Sequence, residues 1–268
     1  MWEGDVFVAV RAARAAADIV QTGFFETLDT RMKSAVDPVT QVDGDAEQAI
    51  RSVLVSHFPN DSILGEEEGG PDWRQGRVWI VDPLDGTVNY VHRVPQVAVS
   101  VALWEDGSPL VGVIIDVARN DEYVAIAGKG ATLNAEPLEV SGTRRLDGSL
   151  VATGFPYDRR EYAAAYLAVV EQVMARCQGT RRLGAAALDL AWVASGRFDA
   201  YWEHGGIHGV QPWDVAAGML LVIEAGGRFT DQTGTVNTLE APVFVASNGH
   251  VHEELREIVI DTMPQHLL

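Results

Sequence analysis

The stretch from Val97 to Ala127 constrains the fold more than any other part of the chain. Three segments rich in Val and Ile, at 97–104, 110–116 and 122–127, follow one another across turns as short as Glu105-Asp106-Gly107-Ser108. Parallel neighbours need a crossover of roughly a dozen residues or more, so these strands are expected to pair antiparallel.

Helical periodicity precedes them. Val6, Val10, Ala13, Ala17, Val20 and Phe24 step by three and four and share one face. Thr40 and Asp43 have capping-box spacing ahead of a second amphipathic segment, through Ala46, Ile50 and Val53 to Phe58, which stops at Pro59-Asn60-Asp61. The apolar run Val78-Trp79-Ile80-Val81 ends abruptly in Asp82-Pro83-Leu84-Asp85-Gly86-Thr87. Beyond residue 140 the texture alternates, with strands expected at 150–153, 200–203, 229–230 and 243–246 and helices at 162–175, 185–194, 215–225 and after His252. The 268 residues hold no linker, repeat or low-complexity tract. The expected organisation is one unit over 1–268, an antiparallel α+β lobe at 1–140 packed on an alternating α/β lobe at 141–268.

Composition enters through charge. Twenty Lys and Arg against thirty-eight Asp and Glu leave a net charge of −18. That balance argues against direct contact with nucleic acid or an anionic membrane, since both require a positive surface. An anionic ligand would need positive charge from some source other than Lys and Arg. Cys177 is the sole cysteine, which excludes an intramolecular disulfide; it sits in a helical pattern and reads as a packing residue. The first fourteen residues interrupt any apolar stretch with acids and Arg, and no apolar run approaches the roughly 18 residues of a membrane span, so a cytoplasmic protein is expected.

Acids collect at four places beside apolar or turn-forming segments: Asp37 to Asp43, Gly65-Glu66-Glu67-Glu68-Gly69-Gly70, Asp82-Pro83-Leu84-Asp85-Gly86-Thr87, and Trp213-Asp214 ahead of the apolar 215–225 segment. Asp82 and Asp85, at the carboxyl end of an apolar strand and separated by a Pro turn, can point into one cleft. Mg²⁺ favours such oxygen ligands and retains waters that phosphate oxygens replace. Gly86-Thr87 would offer backbone N–H groups and a hydroxyl to an anion, the more so if a helix begins there. Each piece alone has a plainer reading: a solvated run at Glu66–Glu68, a turn at Asp85-Gly86, a helix cap at Asp214. Together they point to metal-assisted phosphate chemistry. The D-x-D-x-T spacing of aspartyl-phosphate phosphatases does not fit, because the acids stand three apart and Pro83 follows the first.

The segment from Trp79 to His92 closely resembles the first signature of the inositol monophosphatase family, and Trp213-Asp214-Val215-Ala216-Ala217-Gly218 with Glu224-Ala225-Gly226-Gly227 resembles the second. Gly65-Glu66-Glu67, Val36-Asp37-Pro38-Val39-Thr40 with Asp43, and Thr153-Gly154-Phe155-Pro156-Tyr157 are similar to further family segments, in the family's order, over residues 5–255. The resemblance implies a layered αβαβα sandwich of the inositol monophosphatase and fructose-1,6-bisphosphatase type. It also implies a homodimeric, Mg²⁺-dependent phosphomonoesterase with two to three metals per site, in which Mn²⁺ substitutes and Li⁺ or Ca²⁺ inhibits.

By the same resemblance, Glu66, Asp82 and the Leu84 carbonyl would hold the activating metal, and Asp82, Asp85 and Asp214 the second. Glu66 with Glu67 would support a weaker third. Gly86 and Thr87 would bind phosphate, and Asp43 would pair with Thr87 to orient or deprotonate the attacking water. Asp85, Gly184, Ala185, Ala186, Glu203 and Asp214 would contact the alcohol, and Lys33 falls near a family Lys on a loop over the site.

The stretch His204 to Trp213 is longer than in most family members, which bears on Glu203; its His204 and His208 read more simply as loop residues than as ligands. No basic cluster for a second phosphate stands out near the motifs. The substrate implied is inositol 1-phosphate or a similar small polyol phosphate. Relatives that take fructose 1,6-bisphosphate, histidinol phosphate, adenosine bisphosphate or NADP, and relatives that act through RNA-polymerase-associated partners, supply the alternatives.

Overall fold

A computed structural model describes residues 3–26, 30–34, 37–206, 209–236 and 238–268, with residues 3, 33, 34 and 37 described in their backbone alone. The chain opens with α1 (Glu3–Gly23), a hairpin of β1 (Thr30–Ser34) and β2 (Asp37–Thr40), and α2 (Gln41–His57). Next come β3 (Ser62–Gly65), β4 (Arg77–Asp85), a short α3 (Thr87–Val91), β5 (Ala98–Glu105), β6 (Ser108–Asp116), β7 (Asp121–Ile126), β8 (Gly130–Leu133) and β9 (Glu136–Pro137). Strands β3 to β9 make one seven-stranded sheet in sequence order. The pairings from β4 to β9 are antiparallel, as the short turns between β5 and β9 require, and β4 joins β5 antiparallel through the connection that holds α3, whereas β3 runs parallel to β4.

The rest of the chain supplies β10 (Leu150–Thr153), α4 (Arg159–Met174), β11 (Gly179–Arg181), α5 (Ala186–Ala194), β12 (Ala200–His204), α6 (Pro212–Glu224), β13 (Arg228–Asp231), β14 (Val243–Ser247) and α7 (His252–Thr262). Its five-stranded sheet has the order β11-β10-β12-β14-β13, parallel across the first three strands and antiparallel beyond.

Side-chain alternation builds the layers. Trp79 and Val81 of β4 pack with α1 and α2, whereas Val78 and Ile80 pack toward α5 and α6. A strand covered on both faces reads as a continuous apolar run, which is the pattern of Val78–Val81. Tyr201, Phe229 and Phe244 of the second sheet meet the same two central helices. Its opposite face, with Val151, Trp202 and Val245, packs on Tyr166 and Val169 of α4 and Leu255 and Val259 of α7. The stack is therefore helix, sheet, helix, sheet, helix, the αβαβα sandwich expected. Cys177 departs from its helical pattern: α4 ends at Met174, and the half-buried thiol lies in the bend that leads into β11.

Candidate active site

Asp82 and Asp85 share a side of β4 because the strand is irregular there. An odd separation in a regular strand would send the two side chains to opposite faces. Asp82 pairs with Ser100 and Asp85 with Ala98, so three steps on β4 match two on β5. The extra residue is a bulge at Pro83, which cannot donate to the ladder, and it brings both acids round to one cleft. Glu66, just past β3, and Asp214, third residue of α6, approach the same cleft. Asp214 is not itself the cap of α6. The helix starts at Pro212, and Asp214 Oδ2 accepts the Gln211 N–H at 3.1 Å in a capping box.

Burial pushes the Asp82 carboxyl well above its ordinary range, and the charges of Glu66, Asp85 and Asp214 add to the effect. Burial raises Asp85 to about 7, opposed by the Ala187 N–H and assisted by Glu203 and Glu66. Asp214 is raised strongly by burial, then by Glu203, Glu66 and Asp85. So many mutually repelling carboxylates out of water demand either protons or cations.

Their chemistry fits a hard divalent ion, since every donor is oxygen. Asp82 Oδ1 accepts the Leu84 N–H at 3.0 Å, and Asp85 accepts those of Ala186 and Ala187 at 3.2 and 2.8 Å. Each carboxylate keeps further lone pairs. Among the described residues no three such groups already stand at ligating spacing, so an ion would have to draw them together.

Gly86 turns the chain from β4 into α3 with φ 92°, and a side chain there would meet the Gln96 carbonyl at 2.8 Å. Thr87 begins the helix. Its Oγ1 lies 3.1 Å from both Asp43 Oδ1 and the Leu84 carbonyl, so one hydroxyl proton serves two acceptors. Asp43 also closes the capping box of α2, its Oδ2 accepting from Thr40 N at 2.8 Å and Thr40 Oγ1 at 2.6 Å. A cavity of about 200 Å³ opens beside this turn, lined in part by Asp85, Thr87, Gly184 and Glu203. Ala185, Ala186 and Asp214 line it too, whereas Asp43, Glu66, Asp82 and Leu84 lie outside its lining.

The match to known proteins follows this geometry. The model of the inositol monophosphatase family matches residues 2–267. The chain belongs to the inositol monophosphatase family. It is 40% identical over 267 residues to a Nus factor SuhB of Pseudomonas aeruginosa, covering 97% of each chain. It superposes on an inositol monophosphatase of Anabaena (Nostoc) sp. PCC 7120 with a TM-score of 0.87 and 37% identity, covering 99% of each. An IMPase/NADP phosphatase complexed with Mg²⁺ and phosphate is similar at TM-score 0.78 and 26% identity, covering 91% of this chain and 90% of that one. Membership makes the chain a phosphatase, of a family that depends on Mg²⁺.

His204 is buried, its Nδ1 accepting the Gly206 N–H at 2.8 Å and its Nε2 lying 2.6 Å from the Leu267 carbonyl, so it ties the C-terminus down. His208 lies outside the described residues, as does the side chain of Lys33. Glu67 donates its backbone N–H to Glu47 at 2.8 Å, which ties the loop that carries it to α2. No basic cluster for a second phosphate stands out in the sequence, and the fold nonetheless brings Arg159 and Arg182 from separate segments to the cavity lining.

Two acids were missed. Glu47, fully buried one helical turn after Asp43, carries the Glu66 loop. Asp189 stands alone in the apolar α5, a visible signal; it lines the cavity while its Oδ1 has no hydrogen-bond partner. Burial and the charges of Asp85 and Glu203 hold it well above the ordinary carboxylate range.

Proposed function

We propose that the chain hydrolyses a small phosphate monoester, inositol 1-phosphate first, releasing the alcohol and phosphate without a phosphoenzyme. The observation that carries this reading is the Thr87–Asp43 hydrogen bond on the turn that also presents Asp82 and Asp85. Glu66, Asp82 and the Leu84 carbonyl would hold the activating Mg²⁺, Asp82, Asp85 and Asp214 a second, and Glu66 with Glu67 a weaker third. Bound Mg²⁺ supplies Lewis-acid charge and makes a water acidic near neutral pH.

The rest is done by the chain. Gly86 and Thr87 hold the phosphoryl oxygens and fix the in-line geometry. Asp43, through the Thr87 hydroxyl, orients the attacking water and takes its proton. Gly184, Ala185, Ala186 and Glu203 face the alcohol, and a homodimer is the working assembly. Among the described residues no helix is long and apolar enough to cross a membrane.

The test is phosphate release from a panel of inositol 1-phosphate, histidinol phosphate, fructose 1,6-bisphosphate, adenosine bisphosphate and NADP, with Mg²⁺ and with Li⁺ or Ca²⁺ added. Inositol 1-phosphate should lead, Mn²⁺ should substitute, and Li⁺ and Ca²⁺ should inhibit. Absence of Mg²⁺-dependent release from every member overturns the reading. The Pseudomonas relative named Nus factor favours a second role, binding to transcription machinery. Complementation of a deletion by Asp82→Asn would favour that role over turnover.

A further inference from the structure

Building on the phosphatase reading, we propose that Arg182, assisted by Arg159, forms a subsite for a second anionic group on the substrate. Among phosphate monoesters of polyhydroxylated compounds, the subsite would add affinity for those that also carry a carboxylate or another phosphate.

Among the described residues that line the cavity these two are the only Arg or Lys, set against Asp85, Asp158, Asp189, Glu203 and Asp214. Arg182 is exposed and makes no hydrogen bond or ion pair with any described residue, in a chain whose acids outnumber its Lys and Arg by 38 to 20. Its guanidinium rests 5.8 Å from the centre of the Phe155 ring, and that of Arg159 rests 5.8 Å from the Tyr157 ring. Arg182 is therefore stacked on the segment beside Arg159, with its planar donor edge left for an anion, whereas Arg159 Nη1 donates to the Pro156 carbonyl at 3.1 Å.

Gly184 fixes how close Arg182 comes to the chemistry. A side chain at Gly184 would collide with the Arg182 guanidinium, and the Gly184 carbonyl lies 3.3 Å from the Cβ position of Gly86. The guanidinium therefore sits over the residue that abuts the phosphate turn, one residue removed from the ester phosphate.

The cavity floor reads a different group. The unpartnered Asp189 Oδ1 and the Glu203 carboxylate, which accepts from the Tyr201 hydroxyl, are acceptors suited to substrate hydroxyls. Hydroxyls toward the floor and a charge toward the rim are the features this subsite favours within a matched pair of substrates. Arg182 also lowers the carboxyls of Asp189 and Glu203 through its charge, without a hydrogen bond to either.

Two matched pairs test the subsite: sorbitol 6-phosphate against 6-phosphogluconate, which differ by a terminal carboxylate, and fructose 6-phosphate against fructose 1,6-bisphosphate. With Mg²⁺, the charged member of at least one pair should show a KM lower by roughly ten- to a hundredfold, the value of a charge-assisted hydrogen bond. Preference in one pair alone tells carboxylate from phosphate. Arg182→Ala should erase the difference, with a loss on the charged member at least about tenfold greater than on the neutral one, and Arg182→Lys should keep part of it. Equal kcat/KM within both pairs, or an equal loss on both members in Arg182→Ala, overturns the subsite and leaves the phosphatase reading standing. No Mg²⁺-dependent hydrolysis of any of the four compounds or of inositol 1-phosphate removes both.

Discussion

Glu47 Oε2 accepts the backbone N–H of Glu67 at 2.8 Å, and its Oε1 accepts that of Glu68 at 3.2 Å. The carboxylate is buried and held by Arg51, whose Nε donates to Oε1 at 2.8 Å while its Nη2 donates to the Gly69 carbonyl at 3.0 Å. Gly65 has no side chain because that space is taken by the Glu47 carboxylate. Since Asp43 lies one turn earlier on α2, a single helix fixes both the Thr87 partner and the loop that carries Glu66.

Glu47→Gln offers one acceptor to two N–H groups and should loosen that loop. The expected result is a Mg²⁺ affinity weakened roughly ten- to a hundredfold, as for other residues that orient metal ligands, with kcat at saturating Mg²⁺ much less affected. Titration calorimetry with Mg²⁺ alone reads the affinity without turnover. An affinity equal to that of the unmodified chain would reduce Glu47 to a packing role.

Asp82→Asn and Asp214→Asn should each lower kcat by roughly a thousandfold or more, about 4 kcal/mol of transition-state stabilisation. The fold should survive, because each change removes a buried charge that its neighbours repel. The metal-free Tm should hold or rise, and the gain in Tm on adding Mg²⁺ should disappear. Near-normal turnover in either variant would remove the carboxylates from the chemistry.

The same cluster sets a pH dependence. Asp82, Asp85, Asp189 and Asp214 all titrate higher folded than the ordinary 3.8, Asp85 at about 7. The folded chain then holds more protons than the unfolded one, so stability present at low pH is lost as pH rises through the folded values. His252 has the opposite sign: burial first, then the charge of Arg228, lowers it from 6.5 to about 4, so its contribution is lost as pH falls through that window. Above pH 6.5 the carboxylates act without it. The metal-free Tm should fall between pH 6.5 and about 8, and the rise produced by Mg²⁺ should grow over that interval, because the ion takes the place of protons. A Mg²⁺-induced shift that does not vary with pH would contradict this.

Much of the site was legible because its residues carry their signal locally. Asp82-Pro83-Leu84-Asp85 ends an apolar strand, and Pro83 both marks and causes the bulge that unites the two acids. Thr40 and Asp43 announce a helix start at their own spacing. What stayed hidden depends on distant partners. Glu47 acts on main-chain N–H groups some twenty residues away, a role no side-chain pattern records. Arg182 and Arg159 come to the cavity from separate elements, so no cluster exists in sequence. The parallel β3–β4 pair was hidden too, because the connection at 66–76 is shorter than a helical crossover and contains no helix.

Asp43 answers to two demands, and two variants separate them. One oxygen closes the capping box with Thr40, and the other accepts the Thr87 hydroxyl. Thr40→Ala removes a cap from α2 and should cost about 1 kcal/mol of stability, read as a lower Tm, with kcat changed only a few-fold because the Asp43–Thr87 contact remains. Asp43→Asn removes the charge. Whichever way its amide turns, an N–H₂ replaces one acceptor, against the Thr40 donors or against the Thr87 hydroxyl. It should lose stability on the scale of Thr40→Ala and in addition lose kcat by roughly a hundredfold or more, the contribution of a general base. If Asp43→Asn matched Thr40→Ala in both Tm and kcat, Asp43 would be a helix cap alone, and the proton from the attacking water would need another acceptor.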